Sequence, residues 1–517
     1  MKNNVIWILV DGIRNYHSVG DELARLPVMD RLAEKGIYFS NAVTSATSTA
    51  MSISAQHVGI PSAFLSRNFQ DFKYDSENFT TLSSVLKQNG YNNYGMSFAI
   101  DLRYIFSGII DHVPKSYWPR GYNNGVAWDN PGLMKLFNNV INQGLSEPFF
   151  LFIHINGREW AQKTTSVNED VEEILLRLNT YLDNSILIMN SDHGMPDPKK
   201  SKKTESTKRH GKLFDRHDLL MTDDNILVPL NLNYPGCKKE IINTVVGSID
   251  IMPTVLELLD IDFNYNSLVG KSLVPLIKNK NLTTYSNRII RTDTRYLTQE
   301  QRMISLRSNN YKYVYYKDVP VDDSEFFFDL SKDKQELNNL ISTQDNYYKE
   351  AIEIFRKEYE LQELELINFQ KKYLSRKLEK FLERKNISGS LINIIIIGSD
   401  NADFNNLILD VFRECFHSSV VTLNSENIKF TNKGNNDAIL FIVISDSSFE
   451  QYRSANRMQQ ESEVSSNYLI DSNFDLITSS IVLKILKDYY NYFIMIKDIY
   501  LMNPHRLIRR VRNIIGI

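Results

Sequence analysis

Four short apolar runs mark the first half of the chain: Val5–Val10, Phe149–Ile155, Ser185–Met189 and Ile226–Leu232. Each has strand length, and amphipathic, helix-like stretches lie between them. Apolar strands of this kind bury both faces only in a mainly parallel sheet covered on each side by helices. The pattern therefore predicts an α/β three-layer sandwich. Ligands of such sheets gather at the carboxyl ends of the strands. Asp11-Gly12 follows the first run, and Asn190-Ser191-Asp192-His193-Gly194 ends the third.

At 517 residues the chain is too long for one ordinary core. Composition changes after residue 343. From 344 to 389 the sequence is rich in Glu, Lys and Leu and nearly free of breakers, which predicts a helical connector of one or two long helices. Ser388-Gly389-Ser390 then punctuates the chain. Residues 390–517 predict a small Rossmann-like α/β unit, with strands at Ile392–Ile397, Ser419–Leu423 and Ala438–Ser445 and a helix at Ala402–Phe416. The turn Gly398-Ser399-Asp400-Asn401 lacks a G-x-G-x-x-G pattern, so an accessory domain without chemistry is the expectation. In the tail, Leu507, Ile508, Val511, Ile514 and Ile515 share one helical face among Arg506, Arg509, Arg510 and Arg512. A basic amphipathic helix of this kind closes a domain, or meets an anionic membrane surface or a partner protein.

Charge and cysteine content exclude several classes. Lys and Arg number 59 against 62 Asp and Glu, which argues against a general nucleic-acid binder. Two distant cysteines, Cys237 and Cys415, make neither a disulfide framework nor a cysteine zinc site. Met1-Lys2 with Val5–Val10 has the look of a clipped signal peptide, but no small-residue cleavage site follows. It is read as a buried first strand, and a cytoplasmic protein is expected.

Four segments carry candidate chemistry. Asp11 leaves a buried strand; alone, such a residue is usually a turn cap. Thr44-Ser45-Ala46-Thr47-Ser48-Thr49-Ala50-Met51-Ser52 is rich in hydroxyls and alone reads as a polar loop or N-cap. Asp192-His193-Gly194 puts two metal-ligand types on one turn. His217 has little weight by itself. The stretch from Lys199 to Arg216 holds eight basic residues against Glu205 and Asp215. By default it is a solvated loop, yet beside the Asp-His motif it would attract an anionic substrate.

Taken in order, these segments resemble the sulfatase branch of the alkaline phosphatase superfamily over roughly residues 3–340. The stretch Leu26-Pro27-Val28-Met29-Asp30-Arg31-Leu32-Ala33-Glu34-Lys35-Gly36-Ile37-Tyr38-Phe39 is the most distinctive part. The family nucleophile follows its Phe by ten residues and precedes a Gly by ten; from Phe39 and from Gly59 both measures reach Thr49. Thr81–Tyr91, Pro148–His154, Ser191–Gly194 and Ser248–Leu259 match further family segments. The resemblance implies an alkaline-phosphatase-like fold and a divalent ion held by Asp11, Thr49, Asp192 and His193. Thr49 would be the nucleophile, with Ser48 and Ser52 as the neighbouring alternatives. His217 would contact the leaving oxygen, and Arg158 and His210 the anionic group.

Departures from the family shape the expected chemistry. Sulfatases proper oxidise a Cys or Ser to formylglycine in a C/S-x-P-x-R context, whereas here Thr49 stands with Met51 and Ile53. Oxidation of a Thr gives a ketone, so direct attack by its hydroxyl is expected. Gly12 replaces a second Asp, and Ile155-Asn156-Gly157-Arg158-Glu159 follows the central strand without the family His. One ion is therefore expected, Zn²⁺ or Mn²⁺ ahead of Ca²⁺ or Mg²⁺, as in relatives that transfer phosphoglycerol or phosphoethanolamine. The leading expectation is a hydrolase or phosphotransferase acting on a phosphate ester of a glycan or polar headgroup. A sulfate-ester hydrolase is the second reading, and an inactive scaffold the third.

Overall fold

The computed structural model describes residues 2–15, 26–65, 79–97, 130–157, 164–195, 220–279, 283–294, 303–316 and 324–384, and the four strands of residues 392–397, 420–423, 438–443 and 467–471. The chain divides into two compact units, Met1–Phe369 and Gln370–Ile517.

Unit 1 is built on an eight-stranded mixed sheet. Its strands are β1 (Asn4–Val10), β2 (Ile37–Val43), β3 (Asn92–Ser97), β4 (Phe149–Ile155), β5 (Ser185–Asn190), β6 (Leu227–Asn233), β7 (Glu240–Ile242) and β8 (Val246–Gly247). The order is β3-β4-β1-β5-β6-β2-β7, with β8 also paired to β2. From β3 to β5 all pairs are parallel, while β6 runs antiparallel to β5 and β2.

Side-chain alternation sorts this sheet into two apolar layers. Val5, Trp7 and Leu9 of β1 face one layer with Phe150, Phe152, Ile186 and Ile188. Helices α2 (Thr49–Val58), α3 (Leu82–Gln88) and α6 (Ile251–Leu258) cover that face. Ile6, Ile8 and Val10 face the other layer, under α1 (Pro27–Ala33), α4 (Asn130–Gln143) and α5 (Thr164–Arg177). This is the three-layer α/β sandwich that the four apolar runs foretold, in the alkaline-phosphatase-like form that the family resemblance implied.

A second sheet was not foreseen from the sequence. It is four-stranded and antiparallel: β9 (Ile290–Asp293), β10 (Met303–Arg307), β11 (Tyr311–Tyr316) and β12 (Glu325–Asp329), in the order β12-β11-β10-β9. Its strands are short and rich in aromatic and β-branched residues, such as Tyr313-Val314-Tyr315 and Phe326-Phe327-Phe328. Helix α7 (Asn346–Arg384) follows and packs Ile352 and Phe355 against Tyr313 and Phe327. The division between the two units falls within this helix.

Unit 2 holds a four-stranded parallel sheet of β13 (Ile392–Ile397), β14 (Val420–Leu423), β15 (Ala438–Val443) and β16 (Asn467–Asp471), in the order β14-β13-β15-β16. Three of these strands were expected from the apolar runs. The helix expected at 402–416 and the amphipathic tail of residues 505–515 lie outside the described residues. Among the described residues no helix is long and apolar enough to cross a membrane.

Candidate active site

The central strands β4, β1 and β5 are adjacent and parallel, so their carboxyl ends lie side by side. In β4 the residues Phe150 and Phe152 face the α2 layer, and His154 continues their phase. Asp11 continues the phase of Val5, Trp7 and Leu9, and Asp192 that of Ile186 and Ile188. Three strand ends thus deliver three ligand-type side chains to one face of the sheet. Asp11, His154 and Asp192 are all buried, and one ligand atom from each lies within 4.8 Å of the others.

The turns beyond the strands hold these groups in place. Gly12 adopts φ +72°, a left-handed conformation that suits glycine, and its N–H donates to Asp192 Oδ1 at 3.0 Å. Ser191 Oγ accepts from the N–H of Ile13 at 3.0 Å, tying the β5 turn to the β1 turn. Gly194 donates to the carbonyl of Asn225 at 2.7 Å, and a Cβ there would meet the Asp224 carbonyl at 2.1 Å. The Asp-His-Gly turn is therefore pressed against residues 224–225.

Helix α2 brings the hydroxyl. Thr49 is its first residue, and Ser48 precedes it in extended conformation. Thr49 Oγ1 donates to Asp11 Oδ2 at 3.1 Å and lies 3.2 Å from His193 Nε2. His193 Nδ1 faces the Gly194 carbonyl at 2.7 Å, and a carbonyl only accepts. Nδ1 thus carries the proton in the neutral ring, which leaves a lone pair on Nε2. One hydroxyl proton faces two acceptors. The unpaired N–H groups of the first turn of α2 add a positive field at the same point.

The donor set fits a divalent cation. Asp192 Oδ2 is buried and takes no hydrogen bond. His154 Nε2 lies 3.7 Å from Asp11 Oδ2, and His193 Nε2 lies 3.4 Å from Asp192 Oδ2. Two buried carboxylates this close are costly without a compensating positive charge.

Of the residues singled out from the sequence, Asp11, Thr49, Asp192 and His193 come together. Arg158, His210 and His217 lie outside the described residues, as does the basic stretch of residues 199–216. His154 was missed as a ligand: it is the penultimate residue of an apolar strand, and the matched segment Pro148–His154 was read only as the central strand. Its phase with Phe150 and Phe152, in a strand beside β1, was the available signal.

A family model described as Sulfatase matches residues 3–162. A second, described as N-sulphoglucosamine sulphohydrolase, C-terminal, matches residues 209–365, so together they take in more than half of the chain. The chain belongs to the sulfatase family of the alkaline phosphatase superfamily. The family is a hydrolase group whose members are metal-dependent. An ulvan-active sulfatase from Formosa agariphila is 25% identical over 353 residues, which is 60% of this chain and 66% of that one. The chain thus matches slightly less than two thirds of this relative's length. Two solved structures share the sulfatase fold. One, in complex with its substrate D-glucosamine-2-N,6-O-disulfate, has TM-score 0.55 at 15% identity and covers 70% of this chain and 98% of its own. The other, a phosphonate monoester hydrolase of Agrobacterium radiobacter, has TM-score 0.53 at 15% identity and covers 71% and 95%.

Proposed function

We propose that the chain is a metal-dependent hydrolase that cleaves a sulfate ester on an anionic carbohydrate, with Thr49 as the attacking group. One observation carries this reading: the Thr49 hydroxyl faces Asp11 Oδ2 and His193 Nε2 at a helix N-terminus, beside the buried Asp11, His154 and Asp192. Two names among the relatives, an ulvan-active sulfatase and a protein bound to a disulfated glucosamine, support the substrate class.

Asp11, His154 and Asp192 are the residues that would hold the ion, with the Thr49 oxygen and His193 at its edge. The imidazole favours Zn²⁺ over Ca²⁺ or Mg²⁺, and the two carboxylates also suit Mn²⁺. When bound, such an ion stabilises an alkoxide and draws charge from the ester oxygens. Asp11 or His193 accepts the Thr49 proton. The Thr49 oxygen then attacks sulfur in line, the S–O bond to the sugar breaks, and the sugar oxygen leaves. The N–H groups at the start of α2 hold the charge of the transferring group. Water then attacks the same sulfur and frees sulfate and Thr49. Protonation of the leaving oxygen is assigned to His217, and binding of the anionic group to Arg158 and His210.

Thr49 itself favours a second reading, hydrolysis of a phosphate or phosphonate ester. A secondary alcohol cannot become formylglycine, and direct hydroxyl attack on phosphorus needs no such oxidation. The presence of a phosphonate monoester hydrolase among proteins of the same fold is in keeping with this.

The test is turnover of 4-nitrophenyl sulfate, 4-nitrophenyl phosphate, a phenylphosphonate monoester and sulfated oligosaccharides by the full chain. The protein is stripped with a chelator and reloaded with each ion in turn. Sulfate release, abolished by the chelator and cut about 10³-fold or more by Thr49→Ala, is the expected result. Phosphorus esters alone would establish the second reading. No turnover of any ester with any ion would overturn both.

A further inference from the structure

We propose that Gln56 is a positioning residue for Thr49, the central link of a buried hydrogen-bond chain that sets helix α2 against the Asp192 turn. The inference rests on Thr49 being the attacking group. Thr49, Ser52 and Gln56 stand at helical positions i, i+3 and i+7, so they share one face of α2. That face meets the ends of β1 and β5 through side-chain hydrogen bonds rather than through apolar packing alone.

The direction of every bond in the chain follows from its first member. The indole N–H of Trp7 can only donate, and it donates to Asn190 Oδ1 at 2.8 Å. This fixes the Asn190 amide, whose Nδ2 donates to Gln56 Oε1 at 2.8 Å. Gln56 is thereby oriented with Nε2 toward Ser52 Oγ, at 3.0 Å. Ser52 accepts that bond and donates its own proton to the Asp192 carbonyl at 2.6 Å. Thr44 Oγ1 reaches the same carbonyl at 2.5 Å and lies 2.8 Å from Ser52 Oγ. Trp7, Asn190, Gln56, Ser52 and Asp192 are all almost wholly buried. The Trp7 ring is fixed in turn by His57, stacked at 4.4 Å, and by Phe152, edge-on at 5.5 Å.

The chain ends on the backbone of the residue whose carboxylate faces the site. A slide or rotation of α2 would break the Gln56 and Ser52 bonds together and leave buried amide groups unpaired, which is costly in a dry interior. The helix therefore has one favourable seat, and this seat holds the Thr49 oxygen within hydrogen-bond reach of Asp11 and His193. Reaction rate is far more sensitive to such placement than substrate affinity is.

The test uses two mild variants of the full chain. Gln56→Met keeps volume and deletes the two relay bonds; Trp7→Phe keeps an aromatic ring and deletes the indole donor together with part of the ring volume. Gln56→Met should lower kcat by about 10- to 100-fold, with KM held within about twofold. Trp7→Phe should move kcat in the same direction by less. Hydrogen exchange followed by mass spectrometry should speed up in residues 44–56 and 190–195 and stay unchanged in β10 and β11. A wild-type kcat in Gln56→Met, or a fall matched by loss of affinity and faster exchange across the whole chain, would overturn the proposal. Where the wild-type chain turns over no ester, the functional reading fails by itself, and the exchange pattern still decides for or against the relay.

Discussion

The hydroxyl oxygen of Ser97, at the end of β3, lies 3.0 Å from Nδ1 of His154, at the end of the neighbouring β4. For His154 Nε2 to present a lone pair beside Asp11, Nδ1 must carry the ring proton, and Ser97 is placed to accept it. Ser97→Ala should then weaken binding of Zn²⁺ or Mn²⁺ by about 10- to 100-fold, the usual effect of losing such a partner. Competition with a chelator of known affinity measures this directly. An unchanged affinity would separate Ser97 from the ion.

The Asp192-His193-Gly194 turn leans on residues 223–226, and these are anchored by a buried charge network. Lys312 Nζ donates to Asp223 Oδ1 at 2.9 Å and Glu336 Oε1 at 2.5 Å, while Arg307 NH2 donates to Asp223 Oδ2 at 3.0 Å. Lys312 is fully buried on β11. Removing its charge while keeping its apolar stem, as in Lys312→Met, leaves Asp223 with Arg307 alone and takes from Glu336 the lysine it pairs with. The loss of stability should be about 3–5 kcal/mol, read as a lower denaturant midpoint at constant slope.

Much of this site was legible before any coordinates, and the illegible parts have physical causes. Asp11, Thr49, Asp192 and His193 stood out because each sits at the break of a pattern: the end of an apolar run, or a hydroxyl-rich stretch at a fixed distance from Phe39 and Gly59. His154 breaks nothing, because an imidazole inside Phe149–Ile155 reads as one more buried residue. The relay through Gln56 was equally hidden, since its partners are 134 residues away at Asn190 and four away at Ser52. Only the fold brings a strand-end amide against a helix face. The antiparallel sheet went unseen because Arg291, Ser305 and Lys312 interrupt its strands, and the apolar-run criterion selects continuous ones.

Glu336 gives the network a pH dependence with a definite sign. Burial raises its carboxyl pKa from 4.5 to about 7, against the opposing pull of Lys312. A folded-state pKa above the unfolded one means that the folded protein binds the proton more tightly. The Glu336 contribution is therefore full below about pH 4.5 and is lost as pH rises through about 7. Asp223 acts oppositely. Although burial opposes it, Arg307 and Lys312 lower its pKa to about 2, so its contribution is lost as pH falls below about 3.8. Melting temperature of the wild type minus that of Glu336→Gln should fall from pH 5 to pH 8. A pH-independent difference would show that Glu336 keeps an ordinary carboxyl.

Helix α7 bears on the nucleophile segment through Arg291. Arg291 of β9 donates from Nε and NH2 to the Asp293 carboxylate at 2.7 and 2.9 Å, and from NH2 to Glu363 Oε1 at 2.6 Å. The backbone of Asp293 in turn clasps the stretch leading into α2, donating to the Ser45 carbonyl at 3.1 Å and accepting from the Thr47 N–H at 3.4 Å. Thr292 Oγ1 adds a bond to the Thr44 carbonyl at 2.5 Å. Glu363→Ala deletes one of the two carboxylates around a buried guanidinium, at a cost of about 1–3 kcal/mol. Glu363→Gln keeps an acceptor oxygen and should lose less than half of that. Denaturant midpoints of the two variants measure the difference. Hydrogen exchange at residues 44–47 should rise in Glu363→Ala and stay near wild type in Glu363→Gln, because β9 clasps that stretch and Arg291 braces β9 beyond its pairing with β10. Equal losses in the two variants would show that the side chain packs there without gripping the arginine.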